Sequence, residues 1–214
     1  MKKILYNRYD KALLTTLPAV HFEGRIVVVL SEDEAERAVR YLLTQPVVGV
    51  DTETRPSFRK GDLHLVSLLQ VSTLDTCFLF RLNRIGLCKP VLELLENTAV
   101  LMVGLSWHDD LMSLYRRGAF TPGVFVDLQK TVGTLGIEDL SLQKIYANVF
   151  GGRISKGPRL TNWDADVLSL RQQLYAATDA WACLKLYNEL EALQASGDYE
   201  LVKVPEPEAE IPLY

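Results

Sequence analysis

The chain has 214 residues, 48% of them hydrophobic, with 23 basic and 27 acidic residues and a formal net charge of −4. That length and apolar content suffice for one domain with a substantial core and are short for two. The global charge lacks the basic footprint of most nucleic-acid binders, so any such binding must rest on a local patch.

Residues 1–24 have no clear period and read as an arm wrapped on the domain. The start, Met1-Lys2-Lys3-Ile4-Leu5, opens like a signal peptide, but the apolar run stops at Asn7-Arg8-Tyr9-Asp10-Lys11, too soon for an h-region. No stretch approaches the length of a membrane span. Arg25 to Leu30 is short and β-branched, which predicts a strand. Ser31-Glu32-Asp33-Glu34 is a capping box, and Ala35, Ala38, Val39 and Leu42 mark the buried face of the helix it opens. After Pro46, Val47 to Val50 reads as a buried central strand carrying Asp51. Leu63 to Val71 and Thr76 to Phe80 predict two more strands, joined by a hairpin at Ser72-Thr73-Leu74-Asp75. Pro90 suits a helix start, with Val91, Leu94 and Leu95 on one face. Val100 to Leu105 is the next strand, then a helix from about His108 to Arg117, then a brief strand Val124-Phe125-Val126 ending at Asp127.

Beyond Asp127 the pattern turns helical. Ser141 caps a helix Leu142 to Phe150 that Gly151-Gly152 ends. A basic loop with Gly and Pro runs from Arg153 to Arg159. Ser169 and Gln172 form a second capping box, and Leu170, Leu174, Ala177, Trp181 and Leu184 recur at helical spacing after it. Residues 203–214, rich in Pro and Glu, read as a loose tail. Early strands with a hairpin, followed by alternating helix and strand, predict an α/β fold with a mixed sheet. The three cysteines lack paired, zinc-like spacing. Cys77 and Cys183 fall in apolar patterns as small core residues, and a reducing cytoplasm is the expected compartment.

Acidic side chains are rarely buried unless paired or metal-bound. Here Asp51 and Glu53 end one core-type run, Asp110 follows another, and Tyr175 and Asp179 sit on the last helical pattern. Residues i and i+2 of a strand share a face, as do i and i+4 of a helix, so these groups can converge on one cation. Oxygen ligands suit Mg2+ or Mn2+, and two such ions about 4 Å apart suit phosphodiester hydrolysis. Taken singly, each piece has a plain alternative. Asp-x-Glu after a strand is usually a turn or cap, Asp109-Asp110 suits a helix dipole, and Tyr175 with Asp179 can be a half-buried tyrosine and a solvated acid.

The ordered segments resemble the DEDD superfamily of 3′–5′ exonucleases, in the tyrosine branch (DEDDy) that includes the Werner syndrome exonuclease and ribonuclease D. The first motif is Val50-Asp51-Thr52-Glu53-Thr54. The second runs from Val103-Gly104 through Asp109-Asp110 to Leu114. The third is Leu174-Tyr175-Ala176-Ala177-Thr178-Asp179-Ala180-Trp181-Ala182, preceded by Leu160-Thr161-Asn162-Trp163. The resemblance covers roughly residues 25–195, leaving an arm (1–24) and a tail (196–214). It implies a ribonuclease H-like fold, with a mixed five-stranded sheet flanked by helices. It also implies two Mg2+ or Mn2+ ions. Asp51 is shared by both, and Glu53 and Asp179 complete the water-activating one. Asp110 holds the second, Tyr175 orients the water, and nucleoside monophosphates leave from a 3′ end. Counting from Gly104 and from Leu114 selects Asp110 over Asp109, which leaves Asp109 and His108 as surface or capping residues.

Two basic loops could hold the strand. Arg55, Phe58, Arg59 and Lys60 suit a phosphate backbone and a stacked base, or equally a solvated loop. Arg153, Lys156 and Arg159 precede Asn162-Trp163, a region that borders the cleft in similar proteins. Gln70 matches a family glutamine that helps pack the site, and Trp163 is expected as a core anchor rather than a stacking platform. The expected partner is single-stranded or 3′-end nucleic acid. Little chain follows residue 195 for the helical nucleic-acid-binding domains typical of ribonuclease D, which tilts the expectation to the Werner type and to DNA. The competing expectations are a ribonuclease D-like RNA-processing enzyme, a catalytically silent nucleic-acid-binding module, or a scaffolding protein.

Overall fold

Short β-branched runs alternate with amphipathic repeats along the chain, and each becomes the element its period dictates. The computed structural model describes residues 2–57, 59, 61–155 and 157–205. In chain order the elements are β1 (Lys3–Tyr6), a 3-10 turn (Lys11–Thr16), β2 (Ala19–Val20), β3 (Arg25–Val29), α1 (Glu32–Leu42), β4 (Val47–Thr54), β5 (Val66–Ser72) and β6 (Thr76–Phe80). Then come α2 (Leu82–Ile85), α3 (Lys89–Leu95), β7 (Leu101–Gly104), α4 (Trp107–Tyr115), β8 (Phe125–Asp127), α5 (Leu128–Thr134) and α6 (Leu142–Phe150). The chain continues with β9 (Arg153–Ile154), a second 3-10 turn (Gly157–Leu160), α7 (Leu170–Ser196) and β10 (Tyr199–Val202). Among the described residues no helix is long and apolar enough to cross a membrane.

The main sheet has the order β3-β6-β5-β4-β7-β8. It is mixed, as expected: β4 pairs antiparallel with β5 and parallel with β7. It holds six strands, as the chain-order reading has it, where the family resemblance implies five; the sixth is the three-residue edge strand β8. β5 starts at Val66, later than the expected Leu63, which is 85% exposed in the preceding loop.

Two long-range pairings close the structure. β1 pairs parallel with β10, and β2 with β9. The arm is therefore stitched to the far end of the chain, and residues 199–202, expected as tail, form a strand.

The pleat of β4 sorts its residues between two cores. Val48 and Val50 join a cluster with Ala35 and Leu42 of α1, Leu94 of α3, and Trp107 and Leu114 of α4. Val47 lies against the opposite cluster, with α5, α6 and α7. Gly49, on that second face, meets α7 directly: a β-carbon there would fall 2.0 Å from the Ala180 carbonyl oxygen. Glycine thus lets α7 press onto β4 two residues before Asp51. The capping box expected at Ser169 is complete, which fixes where α7 begins.

Candidate active site

Asp51 and Glu53 lie two apart on β4 and so share the face that α7 covers. Asp179 comes from α7, one residue before the carbonyl that touches Gly49. These three carboxylates offer oxygens that lie within 4.8 Å of one another. Glu53 and Asp179 are each only 8% exposed, and Asp51 is half-buried. Tyr175 sits one turn before Asp179, its ring centre 6.2 Å from that of Trp163.

Asp110 arrives differently. It belongs to α4, which packs on the other face of the sheet. Thr52, pointing to that face between the two acids of β4, donates its hydroxyl to Asp110 Oδ1. Asp110 is therefore outside the tight trio, yet close enough to act on Asp51 and Glu53 through its charge. Its helix starts with Ser106 in the left-handed conformation (φ 57°), held by its N–H donating to Asp127 and by Gln129 donating to its hydroxyl. His108 and Asp109 are exposed, as expected for surface positions.

Burial and mutual repulsion set the electrostatics. Burial, then Asp110, Asp179 and Glu53, hold the Asp51 carboxyl well above the usual carboxylate range. Burial, then Asp179 and Asp110, push Glu53 up to about 9, with Arg159 pulling the other way. Burial raises Asp179 to about 7 against the opposing effect of the Tyr175 hydroxyl. Burial also raises Asp110 to about 7, against the Thr52 hydrogen bond. The Tyr175 hydroxyl is raised by burial and by the same acids, so it stays a neutral phenol.

A carboxyl whose pKa is higher folded than unfolded keeps a proton that the unfolded chain releases. Stability then falls as pH rises between the two values. In EDTA the melting temperature should drop steadily from about pH 5 to about pH 9. Manganese should flatten that slope by replacing the protons with a cation. A melting temperature that rose over this range in EDTA would contradict the clustered-acid picture.

Asp51 and Asp179 line a cleft of about 370 Å3, together with Leu105, Ser141, Gln143, Arg159, Tyr175 and Cys183. Of the basic residues singled out in sequence, Arg159 lines this cleft. Arg55 and Arg59 are exposed on the loop after β4, and Arg153 is exposed on β9; none of these three lines it. Phe58, Lys60 and Lys156 lie outside the described residues.

Trp163 is fully buried among Leu68, Leu79, Ala176 and Ala177, and its indole N–H donates to the Arg159 carbonyl (3.3 Å). It is the core anchor expected, and it ties the basic turn to the floor of the site. Gln70 is fully buried directly across from Asp51 in the β4–β5 ladder. Cys77 and Cys183 are buried thiols, and all three cysteines are free.

Sequence reasoning missed Thr52 and Cys183 as site residues. The signal for Thr52 was present in the strand period, which sends the residue between two same-face acids to the other side. Nothing local pointed to Cys183, whose place depends on how α7 is rotated.

Residues 26–194 match the profile of the 3′–5′ exonuclease family. DNA polymerase I of Aquifex aeolicus is 30% identical over 179 residues, 82% of this chain and 29% of the polymerase. The bifunctional 3′–5′ exonuclease/ATP-dependent helicase WRN of Mus musculus is 31% identical over 188 residues, 81% of this chain and 13% of that protein. This chain thus spans less than a third of either relative. In three dimensions it superposes on Escherichia coli RNase D, an exoribonuclease involved in structured RNA processing. The TM-score is 0.69 at 20% identity, over 81% of this chain and 47% of that one. This last likeness is one of fold.

Proposed function

Because the chain belongs to the family of 3′–5′ exonucleases, we propose that it is a metal-dependent exonuclease that removes nucleoside monophosphates from the 3′ end of a nucleic acid. The observation that carries this reading is the meeting of Asp51, Glu53 and Asp179 within 4.8 Å, at a cleft that Asp51, Asp179 and Tyr175 line. Three clustered carboxylates that repel one another gain nothing for the fold and fit a hard divalent cation well. The donor set is all oxygen, which favours Mg2+ or Mn2+ over zinc.

Asp51, Glu53 and Asp179 would hold one ion, and Asp51 with Asp110 a second. When bound, two such ions supply charge stabilisation on the phosphodiester and a water acidified for attack. The residues themselves do the positioning. The neutral Tyr175 phenol cannot serve as a base at physiological pH, but it can hydrogen-bond and aim a water from its place one turn from Asp179. Thr52 fixes the Asp110 carboxylate from behind. Arg159 brings a positive charge to the acid end of the cleft, where a phosphate would sit.

We favour DNA as the substrate, on the Werner-type resemblance of the motifs; the relatives include both a DNA polymerase I and a ribonuclease D, so the substrate test decides it. RNA is the competing reading, supported by the shared fold with RNase D. The test uses 5′-labelled single-stranded and recessed DNA with matched RNA, incubated with magnesium, manganese or EDTA and resolved on a denaturing gel. The expected result is a ladder that shortens from the 3′ end with metal and vanishes in EDTA, strongest on DNA. Folded, manganese-loaded protein that shortened none of the substrates would turn the reading to a binding module. The three free thiols suit the reducing cytoplasm, the compartment we propose.

A further inference from the structure

The acid cleft does not end at Tyr175. It shares Ser155 and Tyr175 with a smaller hollow of about 130 Å3, closed by Val20, His21 and Ile154 on one side and by α7 on the other. That hollow shares Pro158 and Arg171 with a third, of about 290 Å3, which runs past Asn162 and Ser169. The three make one trough along the first turns of α7.

Arg171 stands where the second and third hollows meet. On α7 it lies four residues before Tyr175 and eight before Asp179, so all three share one helix face, about 6 Å apart per step. The ladder therefore reads cation, phenol, acid. Arg171 is exposed, and among the described residues no carboxylate forms an ion pair with it. A β-carbon at position 157 would lie 3.3 Å from Arg171 Nη2, so Gly157 leaves the guanidinium its room. An unpaired arginine held over a trough that leads to an acid cluster has a clear use. Its planar fork matches a phosphodiester in two hydrogen bonds, without regard to base.

We propose that Arg171 binds the phosphodiester next to the scissile one, on a single-stranded 3′ end whose terminal nucleotide occupies the acid cleft. This rests on the exonuclease reading above. The terminal nucleotide needs a bounded site and the rest of the strand an exit, and the trough past Arg171 is that exit. The hollow between them, of about 130 Å3, joins the acid cleft to the Arg171 end of the trough. Arg171 was not among the residues singled out in sequence, since a lone arginine at the start of a helix carries no pattern.

The test compares a 5′-hydroxyl dinucleotide, whose one phosphodiester is the scissile one, with the matching trinucleotide. Wild type, Arg171→Ala and Arg171→Lys are assayed after circular dichroism confirms their folding. The reading is the ratio of kcat/KM on trinucleotide to that on dinucleotide. Arg171→Ala should lower this ratio about tenfold, mostly through KM, and Arg171→Lys by less. A neutral methylphosphonate at the second linkage should lower the wild-type ratio by a similar factor and leave the alanine variant's ratio unmoved. An unchanged ratio in Arg171→Ala, or a full methylphosphonate effect in that variant, would overturn the assignment. Fluorescence anisotropy of labelled di- and trinucleotides in manganese reads the same contact without hydrolysis. If wild type cleaves neither these short substrates nor the longer labelled strands, the exonuclease reading falls, and the anisotropy difference still decides for or against Arg171.

Discussion

Asp51→Asn is expected to abolish metal-dependent hydrolysis, by at least about 10^3-fold in kcat, while making the metal-free protein more stable. Both effects have one origin. Asp51 lies at the centre of the acid group, with Asp110, Asp179 and Glu53 all raising its pKa. Asparagine keeps its shape and removes its charge. A cation then loses the ligand proposed to serve both ions, and the remaining acids lose a repelling neighbour. At pH 8 without metal, the variant should gain on the order of 1–3 kcal/mol, or about 2–10 °C in melting temperature. Loss of activity together with gain of stability separates a functional acid from a structural one. An active variant would end the metal-site reading. An inactive variant that melted well below wild type in EDTA would mean that Asp51 serves the fold.

The second large effect is on stability. Trp163→Ala should cost about 3–5 kcal/mol in urea denaturation, because it empties a fully buried indole site that the neighbours cannot refill. Those neighbours are Leu68 and Leu79 from the sheet and Ala176 and Ala177 from α7, small residues shaped around the ring. Activity should fall as well, since the indole N–H holds the Arg159 carbonyl and the ring packs beside Tyr175. Trp163→Phe would keep much of the volume and lose the N–H, so it should cost less in stability. An alanine variant within about 1 kcal/mol of wild type would show that the Asn162-Trp163 element is not the anchor described above.

Much of this was legible before any coordinates. A strand repeats every two residues, so Asp51 and Glu53 had to share a face. A helix brings i and i+4 together, so Tyr175 and Asp179 had to stack. Ser169 with Gln172, and Ser141 with Gly151, marked helix ends that the structure keeps. Each of these follows from covalent geometry and local hydrogen bonding, which act over a few residues. The motif order along the chain led to the exonuclease family, and the family profile over residues 26–194 agrees.

Other features needed the tertiary structure. No local pattern in residues 1–24 shows that Lys3–Tyr6 pairs with Tyr199–Val202, because both strands are completed only by a partner nearly 200 residues away. The sequence offers four acids on equal terms. Packing divides them, because α7 and α4 cover opposite faces of one strand, leaving Asp51, Glu53 and Asp179 as a trio and tying Asp110 to Thr52. Arg171 becomes notable only once the basic turn folds against α7 and opens a trough beneath it. Local backbone geometry sets which face each side chain takes within its own element. Which faces then meet was decided by long-range contact, at places such as Gly49, where a missing side chain lets a helix rest on a strand.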